Sequence, residues 1–278
     1  MLLDWIAKRF CPDPQESLRS SWGVEVRSSR SWLEYFTANA DAQPDLPWQD
    51  GAQVTEAELA EIVDSLRAWQ LGETSEGTSL RVAARRYADK YNDPDFALAI
   101  DAFIKEEQRH GETLGRFLDQ VGVPRAKSDW GDTLFRKARA FLGNMETWTT
   151  PVAMIEVHAL IYYNAIRQAT KSPLLRAICA QILREEVPHI RFQCERLAIL
   201  HKDRPRWLRA LTMLGHRVFF TGITLAIWIG HRRALRAGGY GFGRFWESVW
   251  TKMNNAWRLM DPAEYRWAPE CAAVAHAY

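Results

Sequence analysis

The sequence predicts an all-α fold, and two observations lead to this prediction. Apolar residues recur at spacings of three and four over long stretches, whereas runs that alternate with period two are scarce. Capping residues, often followed by proline at the first helical position, mark the starts of these stretches. The 278 residues are 47% hydrophobic and 25% charged, which are globular proportions and exclude a disordered or collagen-like chain.

Residues 1–54 form an N-terminal lead that is mostly irregular, with one helix expected around Ser31–Thr37. Met1–Cys11 lacks the basic start, apolar centre and cleavage site of a signal peptide. The four cysteines form no Cys-x-x-Cys pair, so we interpret them as reduced thiols. Together these features predict a cytoplasmic protein.

Residues 55–200 contain four long periodic segments, each predicted to be one helix. The first opens at Thr55 with the spacing of a capping box and continues past Tyr87; the others cover about Pro94–Gly122, Thr133–Thr170 and Pro173–Leu200. About three residues connect the first segment to the second and the third to the fourth, and such short connections make neighbours antiparallel. The pattern predicts a four-helix bundle built from two hairpins.

Residues 201–278 are predicted to be a helical extension packed on the bundle, interrupted by a glycine-rich turn at Gly238–Gly243. Residues 201–258 carry 11 Lys or Arg against two acidic residues, a net charge of +9 within a chain of +2. This is typical of a solvated basic face, and it also fits an acidic partner such as a ferredoxin or an acyl-carrier protein. The balance of 36 basic and 34 acidic residues disfavours nucleic-acid binding.

One segment of this extension, Val218–Gly230, is uncharged and mostly apolar over 13 residues. As a helix it would span roughly 20 Å, which is too short for a hydrocarbon core of about 30 Å. We expect it to be buried in the protein or against a partner subunit, with a peripheral membrane contact as the alternative. A homodimer formed through the aromatic C-terminal part is a further expectation.

Carboxylates and histidines interrupt the apolar faces of all four predicted helices. The second and fourth helices each contain Glu-x-x-His, as Glu107/His110 and Glu186/His189, which places both side chains on one helix face. A glutamate occurs on the first helix, and Glu156 on the third. Buried carboxylates facing one another need a cation, and four Glu with two His form the ligand set of a di-iron or di-manganese site.

The helix register selects the glutamate of the first helix. The turn between the third and fourth helices centres near residue 171, midway between Glu156 and Glu186, so these two should stand at equal height. The turn between the first and second helices centres near residue 92. Glu76 and Glu107 lie almost equally far from it, whereas Glu73 lies one helical turn farther away than Glu76. We therefore predict Glu76 as the ligand, with Glu73 as the alternative.

The run Glu106-Glu107-Gln108-Arg109-His110-Gly111 resembles the second bundle helix of the soluble acyl-carrier-protein desaturases, within the ferritin-like di-iron carboxylate superfamily. The resemblance covers about residues 55–200, and only the metal motifs are specific. It implies a ferritin-like bundle with two iron ions, O₂ as co-substrate and an external ferredoxin or reductase as electron donor. It also implies that Glu185 orients a ligand histidine. By this resemblance the ligands are Glu76, Glu107, His110, Glu156, Glu186 and His189.

The chain departs from the desaturases at Val187-Pro188, where that family often has a basic pair, and at Ala159-Leu160, where oxygen-activating relatives have a threonine. The expected function is therefore a broader one, an oxygenase or desaturase-like oxidoreductase acting on an organic, acyl-chain-like substrate. The alternatives are a ferroxidase that handles iron and a di-manganese catalase-like peroxide scavenger. His158 follows Glu156 by two positions and should therefore point away from the metals. Tyr162 and Tyr163 are expected to pack in the core, with a pocket or electron-transfer role as the alternative.

Overall fold

A computed structural model of the chain describes residues 24–131, 133 and 144–267. These residues form eight α-helices, which confirms the all-α prediction: α1 Ser29–Asp41, α2 Glu56–Glu73, α3 Thr78–Tyr91, α4 Pro94–Gln120, α5 Met145–Ala169, α6 Pro173–His201, α7 Arg206–Ala237 and α8 Phe242–Leu259. Two 3₁₀ turns cover Trp48–Asp50 and Pro262–Glu264, and the two-residue strands β1 (Val24–Glu25) and β2 (Tyr265–Arg266) pair in parallel.

The predicted helix starts are confirmed where capping residues define them. Thr55 and Glu58 form the capping box of α2, and Asp93 and Ser172 cap α4 and α6 ahead of a proline. The third predicted helix is wrong as one element over Thr133–Thr170, because Asn144 has an extended backbone and caps a helix that starts at Met145. Most of the expected first part lies outside the described residues.

The first predicted helix is wrong as a single element, because the chain leaves the helix after Glu73 and starts α3 at Thr78. Gly77 adopts a left-handed φ of +65°, which a residue with a side chain rarely takes. Threonine, serine and two glycines between residues 72 and 77 all disfavour a continuous helix. The apolar spacing resumes in α3 on a new axis, so the periodicity on its own concealed the break.

Four helices, α2, α4, α5 and α6, contact one another in a closed ring of neighbours. We call them the cluster helices. The α5–α6 pair is the most extensively packed, joined by the short connection Thr170–Ser172. Their inward faces bury large apolar side chains such as Leu66, Leu114, Tyr163 and Ile182. At roughly 25 cal/mol per Å² of apolar surface, this burial is the main force that holds the ring closed.

The remaining helices cover the outside of this ring. Helix α1 packs on α4, with Trp32 and Phe36 fully buried against Phe192 of α6. Helices α7 and α8 pack on α5, and the end of α7 approaches it closely at Gly238. A Cβ at Gly238 would lie 2.2 Å from the Ala165 carbonyl oxygen, so only glycine permits this approach.

Helix α7 differs from the others because it is poorly buried. It is the one helix among the described residues that is long and apolar enough, by length and composition, to cross a membrane. Only 22% of its most apolar 18-residue stretch is buried inside the protein. The expectation that Val218–Gly230 is buried within the protein is therefore wrong for this chain on its own: Val218, Phe219, Leu225 and Ile229 are exposed.

Candidate metal centre

Six side chains from the four cluster helices converge at one buried position. They are Glu73 from α2, Glu107 and His110 from α4, Glu156 from α5, and Glu186 and His189 from α6. Five of these residues were predicted to meet, and the structure brings all five together. The i and i+3 spacing within α4 and within α6 places each glutamate and its histidine on the same inward face.

The ligand atoms fall into two groups that share one residue. Glu107, Glu156, Glu186 and His189 each offer one atom, all within 4.8 Å of one another, and Glu73, His110 and Glu186 form a second such group. Glu186 belongs to both groups. The six residues could therefore hold two adjacent ions, with Glu186 available to either.

The observation that best fits a metal site is the set of buried polar atoms without hydrogen bonds. Both oxygens of Glu156, Oε1 of Glu107, Oε2 of Glu186 and the Nδ1 atoms of His110 and His189 have no hydrogen-bond partner. Nδ1 of His189 lies 2.8 Å from Glu107 Oε1, yet neither atom makes a hydrogen bond. Orphaned buried polar groups are costly, and those gathered at this one position belong to glutamates and histidines, which bind metals well. The donor set fits two divalent ions.

Burial and the neighbouring charges shift the pKa values of the cluster residues. Burial raises the pKa of Glu73 and of Glu156 well above the usual range, and the nearby Glu107 charge adds to both effects. Burial on its own would lower the pKa of His189, but the facing carboxylate of Glu107 and the other carboxylates around the ring more than offset this and raise it. Four buried carboxylates would carry four negative charges, which two divalent ions would neutralise.

Each histidine is held by a carboxylate from the opposite motif. His110 Nε2 donates to Glu185 Oε2 at 2.6 Å, and His189 Nε2 donates to Glu106 Oε1 at 3.1 Å. With the proton fixed on Nε2, each Nδ1 is left to present a lone pair to the cluster. Burial acts to raise the pKa of Glu185, but the hydrogen bond and charge of His110, together with Gln43 and His189, outweigh it and lower that pKa to about 2. The expectation that Glu185 faces a ligand histidine agrees with this geometry.

The lead helix α1 supports both of these carboxylates, a role that the sequence did not indicate. Asn39 Nδ2 donates to Glu106 Oε1 at 2.9 Å and to Glu185 Oε1 at 3.1 Å. Gln43, just beyond the end of α1, donates from Nε2 to the same Glu185 oxygen at 3.0 Å. The pairing of Glu106 with His189 was also missed, although the duplicated Glu-Glu-x-x-His motif contained the signal for it. Residues outside the bundle motifs thus orient the ligands.

Glu76 does not reach the cluster, and its prediction as the ligand of the first helix is corrected. Glu76 lies in the turn between α2 and α3, where its carbonyl accepts from Arg81. Glu73, the alternative, lies in the last turn of α2 and is buried beside Glu186 and His110. The register counted residues along an unbroken helix, and the non-helical residues 74–77 invalidate that count.

Two neighbours fix Glu73 in place. The hydroxyl of Tyr163 donates to Glu73 Oε1 at 2.6 Å. At Gly111 on α4, a Cβ would lie 3.1 Å from the backbone carbonyl carbon of Glu73 and 2.7 Å from Thr74 Cγ2. The glycine that follows His110 therefore allows the end of α2 to come close enough for Glu73 to reach the cluster.

The surroundings of the cluster are mostly closed. Glu107 keeps 22% of its side chain exposed, whereas the side chains of Glu156 and Glu186 are almost fully buried, so the opening is beside α4. His158 points away as expected, with its ring bonded to the Met154 carbonyl and to Thr224. A surface cavity of about 560 Å³ lies elsewhere, between α3 and the ends of α5 and α6, and no cluster residue lines it.

No family model matches the chain, and neither the curated proteins nor the solved structures contain a match. Function has to be inferred from the geometry of the cluster itself.

Proposed function

We propose that the chain is a ferritin-like, non-haem di-iron oxidoreductase that activates O₂ to act on an organic substrate. The observation that carries this proposal is the group of orphaned ligand atoms shared by Glu107, His110, Glu156, Glu186 and His189. The closed ring of α2, α4, α5 and α6, with one carboxylate or one Glu-x-x-His pair per helix, supports the ferritin-like assignment.

The residues present divide into three roles. Glu107, Glu156 and His189 would hold one ion, Glu73 and His110 the other, and Glu186 belongs to both groups. A set of three or four protein ligands per position leaves coordination sites open, and two ferrous ions held there would supply the electrons that reduce O₂. Glu106 and Glu185 keep the histidine protons on Nε2, so the ligand nitrogens stay free.

Turnover of such an oxidoreductase requires electrons from outside, and aromatic side chains offer a route for them. The hydroxyl of Tyr163 binds Glu73, and the ring of Tyr163 packs on Trp69 at 5.6 Å. Trp69 stacks on Tyr162 at 4.3 Å, and Tyr162 approaches His231 of α7 at 5.8 Å. This series connects the cluster to His231 of α7, and an external one-electron donor such as a ferredoxin would have to bind within reach of it. A protein that only stored iron would have no need of such a route.

Metal analysis is the first test of the proposal. After anaerobic loading with Fe(II), the purified protein should hold two ions per chain, and the Glu107→Ala variant should lose tight two-metal binding. Glu34→Ala is the matched control, because Glu34 is an exposed glutamate on α1 that pairs with Arg30 and not with the cluster. One ion or none in the wild-type protein would contradict the di-metal proposal.

Reactivity distinguishes the oxidoreductase from the two alternatives. Repeated O₂ reduction that depends on a one-electron donor, with the iron retained, is expected. Oxidation of many Fe(II) ions per site with release of a ferric product would favour a ferroxidase instead. Rapid disproportionation of peroxide by the manganese-loaded protein would favour a catalase.

A further inference from the structure

Helix α7 presents a continuous apolar stripe to solvent. Seven of the eleven exposed large hydrophobic residues in the described part of the chain lie on it: Trp207, Leu211, Leu214, Val218, Phe219, Leu225 and Ile229. Trp207 is 70% exposed and Val218 is 68% exposed. Contiguous exposed apolar surface on this scale marks a binding surface rather than an ordinary protein exterior. We call this stripe with its flanking arginines the α7 face.

The spacing of the stripe makes it straight. From Trp207 the exposed positions advance in steps of four and three, and the pattern repeats at Val218 and again at Ile229. Each repeat, such as Trp207 to Val218, takes three turns of an undistorted α-helix, so the exposed side chains stay on one side of α7 along its length. From Trp207 to Ile229 it extends over roughly 33 Å, which suits a flat partner better than a small pocket.

The charge on α7 identifies the chemistry of the partner. The helix carries six arginines and neither Asp nor Glu. Arg206 precedes the apolar stripe, and Arg232, Arg233 and Arg236 follow it, whereas Arg209 and Arg217 lie within its length. An apolar face bordered by basic residues is the signature of a helix that lies in the interface of an anionic membrane. Trp207 and Phe219 also belong to the residue types that favour the headgroup region.

A second copy of the chain fits this face less well. A parallel pair of α7 helices would place Arg217 against Arg217, and an antiparallel pair would place Arg206 against Arg232. Neither arrangement provides a carboxylate from α7 to pair with these charges. Like charges that meet across an interface weaken association.

The opposite side of α7 is attached to the protein, so the helix can lie on a membrane without crossing it. Thr224 bonds to His158 of α5, and His231 bonds to Ser65 of α2. Arg233 forms an ion pair with Glu61 of α2. A helix crossing the bilayer would have to give up these contacts and bring the charged surface of α2 into the hydrocarbon core.

We propose that the α7 face docks the protein on the surface of an anionic lipid membrane. This inference does not depend on the metal centre. It also suits an enzyme whose substrate is an acyl chain, because such chains are concentrated in membranes.

The test is co-sedimentation of the full-length protein with vesicles. Binding is expected to vesicles of phosphatidylcholine with about a third phosphatidylglycerol, and to weaken strongly with phosphatidylcholine alone or when salt is raised from about 0.1 to about 1 M. The double variant Leu214→Glu/Ile229→Glu should bind at least about tenfold more weakly, a loss that corresponds to only about 1.4 kcal/mol. The control Leu98→Glu changes an exposed leucine on α4 and should bind as the wild type does.

Gly222→Leu separates a membrane from a second copy. Gly222 lies on the exposed side with open space around its missing side chain, so leucine extends the stripe without an internal clash. Membrane binding should be retained or strengthened, whereas a close helix–helix interface would be blocked.

Four results would overturn the proposal. The first two are failure of the wild type to bind the anionic vesicles and unchanged binding of the double glutamate variant. The third is a wild-type dimer in analytical ultracentrifugation that Gly222→Leu converts to a monomer. The fourth is membrane-bound protein that resists extraction at alkaline pH, which would show a spanning helix. Binding of an acyl-carrier protein to this face with no binding to vesicles would likewise replace the membrane with an acidic protein.

Discussion

Replacing Glu73 by glutamine is the most direct test of how the cluster is built. Glutamine keeps an oxygen that can accept the hydroxyl of Tyr163, so the fold around α2 should be preserved while one ligand charge is lost. Glu73 is one of three residues in its group, together with His110 and the shared Glu186. The variant should therefore bind one metal ion tightly instead of two.

The size of the effect follows from ligand linkage. Loss of a partner that merely orients a ligand costs about 10–100-fold in metal affinity, so loss of the ligand itself should cost at least about 100-fold at that position. With free metal at about 100 times the wild-type Kd, the stabilisation from the second ion falls from about 2.7 to about 0.4 kcal/mol. At about 2–4 °C per kcal/mol, the metal-induced rise in Tm should shrink by about 5–9 °C.

The assay is thermal unfolding with and without Mn(II), combined with metal analysis after gel filtration. Glu76→Gln is the matched control, because Glu76 follows Glu73 closely in the chain but lies outside the cluster, so both ions and the Tm shift should be unchanged. Retention of two tightly bound ions by Glu73→Gln, or loss of one ion from Glu76→Gln, would refute the assignment.

Three further predictions address other parts of the structure. Glu185→Gln removes the charged acceptor of the His110 N–H, so titration calorimetry should show metal affinity reduced by about 10–100-fold at that position, without loss of folding. Burial lowers the pKa of His216 to about 4, with His201 adding to the effect. In the unfolded chain the same imidazole takes up a proton near pH 6.5. The free energy of unfolding should therefore decrease as pH falls from 6.5 towards 4, by about 2 kcal/mol at pH 5. Urea unfolding at pH 7 and pH 5 should therefore show a smaller loss for His216→Gln, and an equal loss would contradict this account. Trp69→Leu should slow reduction of the iron-loaded protein by an external one-electron donor while leaving iron content unchanged, as stopped-flow absorbance would reveal; an unaltered rate would exclude the aromatic route.

The sequence predicted the parts of the fold that are encoded locally. Capping residues and prolines fixed the starts of α2, α4 and α6, because these signals act within one turn of a helix. The height of Glu156 against Glu186 was also predictable, since α5 and α6 are joined by a tight turn. A register counted from a turn is reliable where no irregular residues intervene.

The same count failed for Glu73 because the chain leaves the helix between α2 and α3. The clues were present in Gly72 and Gly77, but they were outweighed by the apolar spacing that continues on both sides. Contacts between distant parts of the chain were not predictable at all. The position of Asn39 beside both Glu106 and Glu185 depends on how α1 docks on α4, which no local pattern encodes.

The crossed hydrogen bonds of the two motifs have a consequence for assembly. Since Glu185 of α6 holds His110 of α4, and Glu106 of α4 holds His189 of α6, neither half of the chain contains a finished half-site. A chain cut between residues 131 and 144 would give two fragments that each carry one Glu-Glu-x-x-His motif but lack the acceptor for their own imidazole. Metal ions would then join the two fragments, so reassociation of a split protein should depend on metal.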